Sequence, residues 1–163
     1  MKCYDILIVE DDAALCEALC ETLKLEGYTV ADAANGTEAL LKLSKASFKL
    51  VISDVQMPVM NGIELLSHIR EKYMDIPVLL MTAYGSVPKA VEAIQSGAVD
   101  YLVKPFDGSE LALRVASLLK KNKAQKEELQ AVASPVMKKL YEVAEKVART
   151  DVTVLIQGPS GAG

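Results

Sequence analysis

Val51-Ile52-Ser53-Asp54-Val55-Gln56-Met57-Pro58 joins a short apolar run to an aspartate, with a proline four residues beyond it. Apolar runs of this length, closed by turn residues, form strands buried on both faces of a parallel sheet. A carboxylate at the end of such a strand stands at the carboxyl edge, where open α/β sheets build their sites. Asp54 is therefore the candidate reactive group.

The same strand-then-helix unit recurs on either side. Upstream, residues 5–9 form a strand followed at once by Glu10-Asp11-Asp12. Residues 13–26 then carry Leu15, Leu19 and Leu23 at helical spacing and stop at Gly27, as a C-terminal cap does. Residues 28–33 predict a second strand, and 36–45 a helix with Ala39, Leu40 and Leu43 inward. Downstream of the strand at 50–53 come a helix over 62–73 and a strand over 77–81. A fourth helix over 86–95, with Pro88 in its first turn, stops at Gly97. Residues 100–103 form a fifth strand, and a fifth helix starts at Gly108.

Five such alternations with short connections predict an α/β fold, a doubly wound five-stranded parallel sheet of flavodoxin-like order 2-1-3-4-5. That order sets the ends of the first and third strands side by side at the switch point. Asp11 and Asp12 are thereby expected beside Asp54. Three carboxylates on one edge repel one another unless a cation is present. An all-oxygen set suits Mg²⁺, which takes one or two carboxylates and keeps several waters.

Thr82 follows the fourth strand, and Lys104 follows the fifth with Pro105 behind it, so both point to the edge that carries Asp54. A metal, an ammonium and a hydroxyl converging on one carboxylate suit phosphoryl transfer, in which positive groups neutralise the phosphoryl oxygens while the carboxylate attacks. The expected product is an aspartyl phosphate. Taken alone, each residue has a plainer use, since a strand-end Asp commonly caps a turn and an acidic pair commonly caps a helix. Their convergence on one edge favours the chemical reading.

Composition narrows the class. Of the 163 residues 51% are hydrophobic and 25% charged, the profile of a globular chain, and the formal net charge of −4 argues against a nucleic-acid surface. No apolar run approaches the ~20 residues of a membrane span, and the start lacks a signal-peptide pattern. Cys3, Cys16 and Cys20 make no disulfide framework. A cytoplasmic protein with no membrane contact is the expectation.

Beyond about residue 118 the chain turns polar, with Lys120-Lys121-Asn122-Lys123 and Gln125-Lys126-Glu127-Glu128, which predicts a helical linker. Ser134-Pro135 opens another helix, and 152–157 reads as a strand running into Gly158-Pro159-Ser160-Gly161-Ala162-Gly163. Gly158, Gly161 and Gly163 fit the start of a phosphate-cradling loop whose Lys and Ser/Thr would follow. The expected domains are 1–121, a linker over 122–134, and 135–163 as the first part of a nucleotide-binding domain. Without the rest of that loop, this stretch is not expected to bind or hydrolyse ATP usefully.

Val9-Glu10-Asp11-Asp12, Asp54-Val55-Gln56-Met57-Pro58, Asn61-Gly62, Thr82-Ala83 and Lys104-Pro105-Phe106, in this order, resemble the receiver domain of bacterial response regulators over about residues 4–121. The resemblance implies that Asp54 accepts a phosphoryl group from a sensor histidine kinase. It implies a Mg²⁺ held by Asp11 or Asp12, Asp54 and the backbone carbonyl of Gln56. Thr82, Ala83, Tyr101 and Lys104 would bind the phosphate and carry the switch, which makes the chain a phosphoacceptor rather than an enzyme. The tail resembles the start of the AAA+ ATPase domain of sigma-54-dependent transcriptional activators. That likeness implies a longer regulator acting with ATP, sigma-54 RNA polymerase and DNA, none of the DNA being bound by this fragment. It also implies a homodimer through the fourth helix, the fifth strand and the linker. Two other readings use the same residues: a stand-alone receiver acting by phosphorylation-dependent protein binding, and a flavodoxin-like phosphatase-type enzyme.

Overall fold

A computed structural model describes the backbone of residues 2–83 and 93–131, with side chains as far as residue 124. Its described elements are β1 (Lys2–Val9), α1 (Ala13–Leu25), β2 (Val30–Ala33), α2 (Gly36–Lys45), β3 (Ala46–Asp54), α3 (Gly62–Lys72), β4 (Val78–Thr82), β5 (Asp100–Val103) and a long helix (Gly108–Ala131). The strands form one sheet of order β2-β1-β3-β4-β5, every neighbouring pair parallel. This is the doubly wound order expected from the alternation of elements.

Side chains alternate across each strand, and both faces of the sheet are covered, which is why the strands read as unbroken apolar runs. Leu7, Val9, Val51, Val78 and Leu80 pack against Ala39 and Leu43 of α2 and Leu65, Leu66 and Ile69 of α3. Their neighbours Ile6, Ile8, Leu50, Ile52, Leu79 and Met81 pack on the opposite face against Leu19 and Leu23 of α1 and Leu111 and Val115 of the long helix. Each such side chain, fully withdrawn from water, contributes about 1.5–3 kcal/mol before the cost of ordering it.

The helices begin and end where local chemistry dictates. Asn61 caps α3 in a reciprocal box with Glu64, and Asn35 caps α2 by accepting from the Glu38 N–H. Helix α1 stops at Gly27, whose φ of 87° lets Tyr28 N–H reach the Leu23 carbonyl at 3.1 Å.

Two strands are longer than the sequence suggests. β1 and β3 run back to Lys2 and Ala46, which pair with each other, and Tyr4 stacks on Phe48 at 5.4 Å. The β3 extension alternates exposed and buried residues and the β1 extension is exposed or half-buried throughout, so both lack the continuous apolar signal of the strand centres.

The helix starting at Gly108 runs without a break to Ala131, through the polar stretch expected to be a linker. Residues through Asn122 form one compact unit, and a second begins at Lys123, described only for its helical stretch to Ala131. Of the helix expected over 86–95, residues 93–95 are described and helical. The expected helix at 135–149, the strand at 152–157 and the loop glycines Gly158, Gly161 and Gly163 lie outside the described residues. Among the described residues no helix is long and apolar enough to cross a membrane.

Candidate functional site

Asp54 closes β3 at the carboxyl edge and is 7% exposed. One of its oxygens, Oδ1, accepts from the Val55 N–H at 2.8 Å, which fixes the carboxylate against the start of the loop. Fully buried Ser53 donates its hydroxyl to the Asp54 carbonyl at 2.9 Å. Gly62 opens α3 directly behind, its N–H donating to the Val55 carbonyl at 3.0 Å. Strand, loop and helix thus hold the Asp54 backbone through main-chain groups and the Ser53 hydroxyl, with the Val55 N–H on its carboxylate.

The register supplies its neighbours. Val9 pairs with Ser53, so the next residue on each strand, Glu10 and Asp54, come side by side. Lys104, just past β5, bridges them: its Nζ lies 2.8 Å from Glu10 Oε2 and 3.1 Å from Asp54 Oδ2. The Lys104 N–H also donates to the Thr82 carbonyl at 2.8 Å, which holds the two strand ends together.

One oxygen each from Glu10, Asp11 and Asp54 lies within 4.8 Å of the others, with Glu10 and Asp54 buried and Asp11 exposed. Burial is the main force pushing the Glu10 carboxyl above its ordinary range; the Asp54 carboxylate adds to it and Lys104 opposes it. For Lys104, burial works against the charge, but the Glu10 and Asp54 carboxylates outweigh it and hold the ammonium above its usual value. Three carboxylates facing one ammonium leave an excess of negative charge on hard oxygen donors. That donor set fits a hard divalent cation such as Mg²⁺.

The acids brought together are therefore Glu10, Asp11 and Asp54. Asp12, expected among the ligands, stands apart from this cluster. Its Oδ1 accepts from the Ala14 and Leu15 N–H groups at 2.9 and 3.1 Å and caps α1. Glu10 was not singled out from sequence. The signal for it lay in register, since it stands one residue past Val9 as Asp54 stands one past Ser53.

Thr82 ends β4 half-buried, one residue beyond the Met81 that pairs with Asp54, and Ala83 follows it exposed. Tyr101 sits further back on β5, opposite Leu80, and is half-buried. Gln56 lies two residues past Asp54 and helps line an open apolar hollow with Val55, Met57, Asn61, Ile63 and Glu64. His68 is exposed on α3, 3.9 Å from Glu71 and remote in sequence from these groups.

The family model for the response regulator receiver domain matches residues 6–116. The response regulator protein FleR of Pseudomonas aeruginosa is 48% identical over 159 residues, which cover 97% of this chain and 34% of FleR. The transcriptional regulatory protein ZraR of Klebsiella oxytoca is 42% identical over 168 residues, covering 98% of this chain and 38% of ZraR. The chain thus spans little more than a third of the length of these relatives. Among solved structures, the response regulator TrrA of Thermotoga maritima in complex with Mg(2+)-BeF superposes with a TM-score of 0.64 at 38% identity. The match covers 72% of this chain and 99% of TrrA. A parallel sheet of order 2-1-3-4-5, an acidic edge bridged by Lys104, and these matches agree: the chain belongs to the response regulator receiver domain family, the phosphorylation-based signalling modules of two-component systems.

Proposed function

We propose that Asp54 is the phosphoacceptor of this receiver and that Glu10, Asp11 and Asp54, with the Gln56 carbonyl, hold the Mg²⁺ it works with. The observation that carries this reading is the contact of Lys104 Nζ with Asp54 Oδ2 at 3.1 Å, inside a cluster of three carboxylates. A carboxylate oxygen of Asp54 attacks the phosphorus of a phosphohistidine on a sensor kinase. The P–O bond forms as the P–N bond breaks, and the imidazole leaves with the electron pair. Bound there, Mg²⁺ supplies positive charge to the phosphoryl oxygens. Lys104 gives up its contact with Asp54 to pair with a phosphoryl oxygen, while Thr82 and the Ala83 N–H are placed along the edge to bond another.

The switch follows from the added charge. Drawing the Thr82 hydroxyl toward the phosphoryl group frees space that the half-buried Tyr101 ring fills, a shift between two packings. Exposed Ile94, Val99 and Leu113 flank β5 and support a homodimer through the fourth helix, β5 and the linker. The linker over 122–134 and the ATPase fragment over 135–163 make this a piece of a sigma-54-dependent transcriptional regulator, acting in the cytoplasm with ATP, RNA polymerase and DNA. The named role of ZraR in transcription supports that extension.

The test is mass spectrometry after incubation with a small phosphodonor and Mg²⁺. One phosphoryl group is expected on the native chain and none on Asp54→Asn or without Mg²⁺. Full labelling of Asp54→Asn removes Asp54 from the role.

A further inference from the structure

Arg70 on α3 has a fully buried nitrogen, Nε, that finds no hydrogen-bond acceptor among the described residues. The rest of its guanidinium is engaged. Nη1 donates to the Met74 carbonyl at 2.8 Å and Nη2 to the Ile76 carbonyl at 2.7 Å, so α3 grips the loop that leads into β4. Burial pushes the guanidinium below its ordinary value.

On its other side lies the turn that leads into β5. Gly97 has a φ of 100°, and a Cβ there would stand 3.0 Å from Arg70 Cδ and 3.2 Å from Nε, so the glycine backbone rests directly on the arginine. Gly97 is also the stop of the helical stretch 93–95: its N–H reaches the Ile94 carbonyl at 3.0 Å, and Ala98 N–H reaches the Ala93 carbonyl at 3.1 Å. Val99 N–H then bonds the Val78 carbonyl at 2.9 Å, where β4 and β5 begin to pair. One side chain therefore touches the approaches to both strands that carry Thr82 and Lys104 to the candidate site.

The geometry points to Arg70 as a positioning residue of the switch, whose unbonded Nε–H gains a backbone carbonyl of the 94–97 turn as acceptor when Asp54 is phosphorylated. This rests on Asp54 being the phosphoacceptor. A buried donor without an acceptor destabilises the packing that contains it. A second packing of the same turn that supplies the acceptor is favoured by that amount, about tenfold or more in the equilibrium between the two. The left-handed glycine is a suitable pivot, because it can change φ and ψ without a Cβ entering the arginine. Packed elements of this kind move between discrete arrangements rather than bending continuously.

The test is nuclear magnetic resonance on the isotopically labelled 163-residue chain, with and without beryllofluoride and Mg²⁺. The Asp54 and Thr82 amides report whether the mimic acts at the site at all. If they fail to respond, it is the phosphoacceptor reading that falls. If they respond, a through-bond coupling from Arg70 Nε to a carbonyl carbon is expected only in the activated form. Coupling that is absent from both forms, or equal in both, overturns the inference. Arg70→Lys keeps the charge but loses the Nε–H together with the two Nη donors on the Met74 and Ile76 carbonyls, so the coupling measurement assigns the effect to Nε. The variant is expected to bind Mg²⁺ as the native chain does while its equilibrium between the two packings, read from the Thr82 amide, shifts about tenfold toward the resting form. An unshifted equilibrium in that variant also overturns it, and if the variant does not fold, the coupling measurement on the native chain decides.

Discussion

Replacing Gly62 with alanine probes how closely α3 is docked on the strand that ends in Asp54. A Cβ at this position would lie 2.2 Å from the Asp54 carbonyl oxygen and 3.0 Å from the Asp54 carbonyl carbon and from Val55 Cα. All three are backbone atoms, so relief means moving the strand end or the helix start rather than turning a side chain. The 3.0 Å bond from Gly62 N–H to the Val55 carbonyl lengthens with whichever moves. Overpacking of this kind costs about 1–3 kcal/mol, and the lost hydrogen bond about 0.5–1.5 kcal/mol. The helix preference of alanine returns up to ~1 kcal/mol, less at the first helical position. The net expectation is a loss of about 1–4 kcal/mol, read as a lower urea midpoint at unchanged slope. Because the displacement passes through the Asp54 backbone, Mg²⁺ affinity and phosphorylation rate fall with it. A native midpoint together with an unchanged Mg²⁺ titration would refute the close-approach argument.

Asp11→Asn is expected to weaken Mg²⁺ binding at little cost in stability, whereas Asp12→Ala removes the α1 cap and costs about 1 kcal/mol in urea unfolding. Equal losses of Mg²⁺ affinity in both variants would put Asp12 back among the ligands. Val59, 85% exposed with a φ of 71°, holds a β-branched residue in the left-handed region without burying it. Val59→Asn is therefore expected to raise stability by about 1 kcal/mol, and a lower melting temperature would count against that strain. Burial works to raise the Asp5 carboxyl, but hydrogen bonds from Lys49 and Thr29 outweigh it and hold it at about 2, against 3.8 for a free aspartate. A carboxyl depressed on folding stabilises above its unfolded value and loses that contribution as pH falls through its folded one. Asp5→Asn should thus cost about 1–2 kcal/mol at neutral pH, after allowance for solvent screening, and the difference should shrink between pH 4 and 2. A difference independent of pH would remove the ion pair as its cause.

The sheet order was legible because covering both faces of a parallel sheet forces strand centres to be continuously apolar, as at Ile6–Val9 and Leu50–Ile52. The strand starts at Lys2 and Ala46 were not, since pairing there is set by the partner strand and their residues are not continuously buried. At the site, Asp54 and Lys104 could be read from their place after apolar runs, while Glu10 and Asp12 could not be told apart. In Glu10-Asp11-Asp12 every residue is acidic, so composition does not say which carboxylate faces the neighbouring strand and which turns back on its own helix. Only the pairing of Val9 with Ser53 and the two N–H groups captured by Asp12 make that distinction. The helical linker was legible from its helix-forming polar residues, and the helix from Gly108 runs through this stretch as far as Ala131.

Trapping the phosphorylated chain with borohydride, which reduces an aspartyl phosphate to homoserine, and mapping the reduced residue by peptide sequencing asks the central question most directly. The arrangement of Glu10, Asp11 and Lys104 around one carboxylate predicts reduction at Asp54 alone, dependent on Mg²⁺ and lost in Asp54→Asn. Reduction at any other acid of the native chain, or labelling indifferent to Mg²⁺, would contradict it.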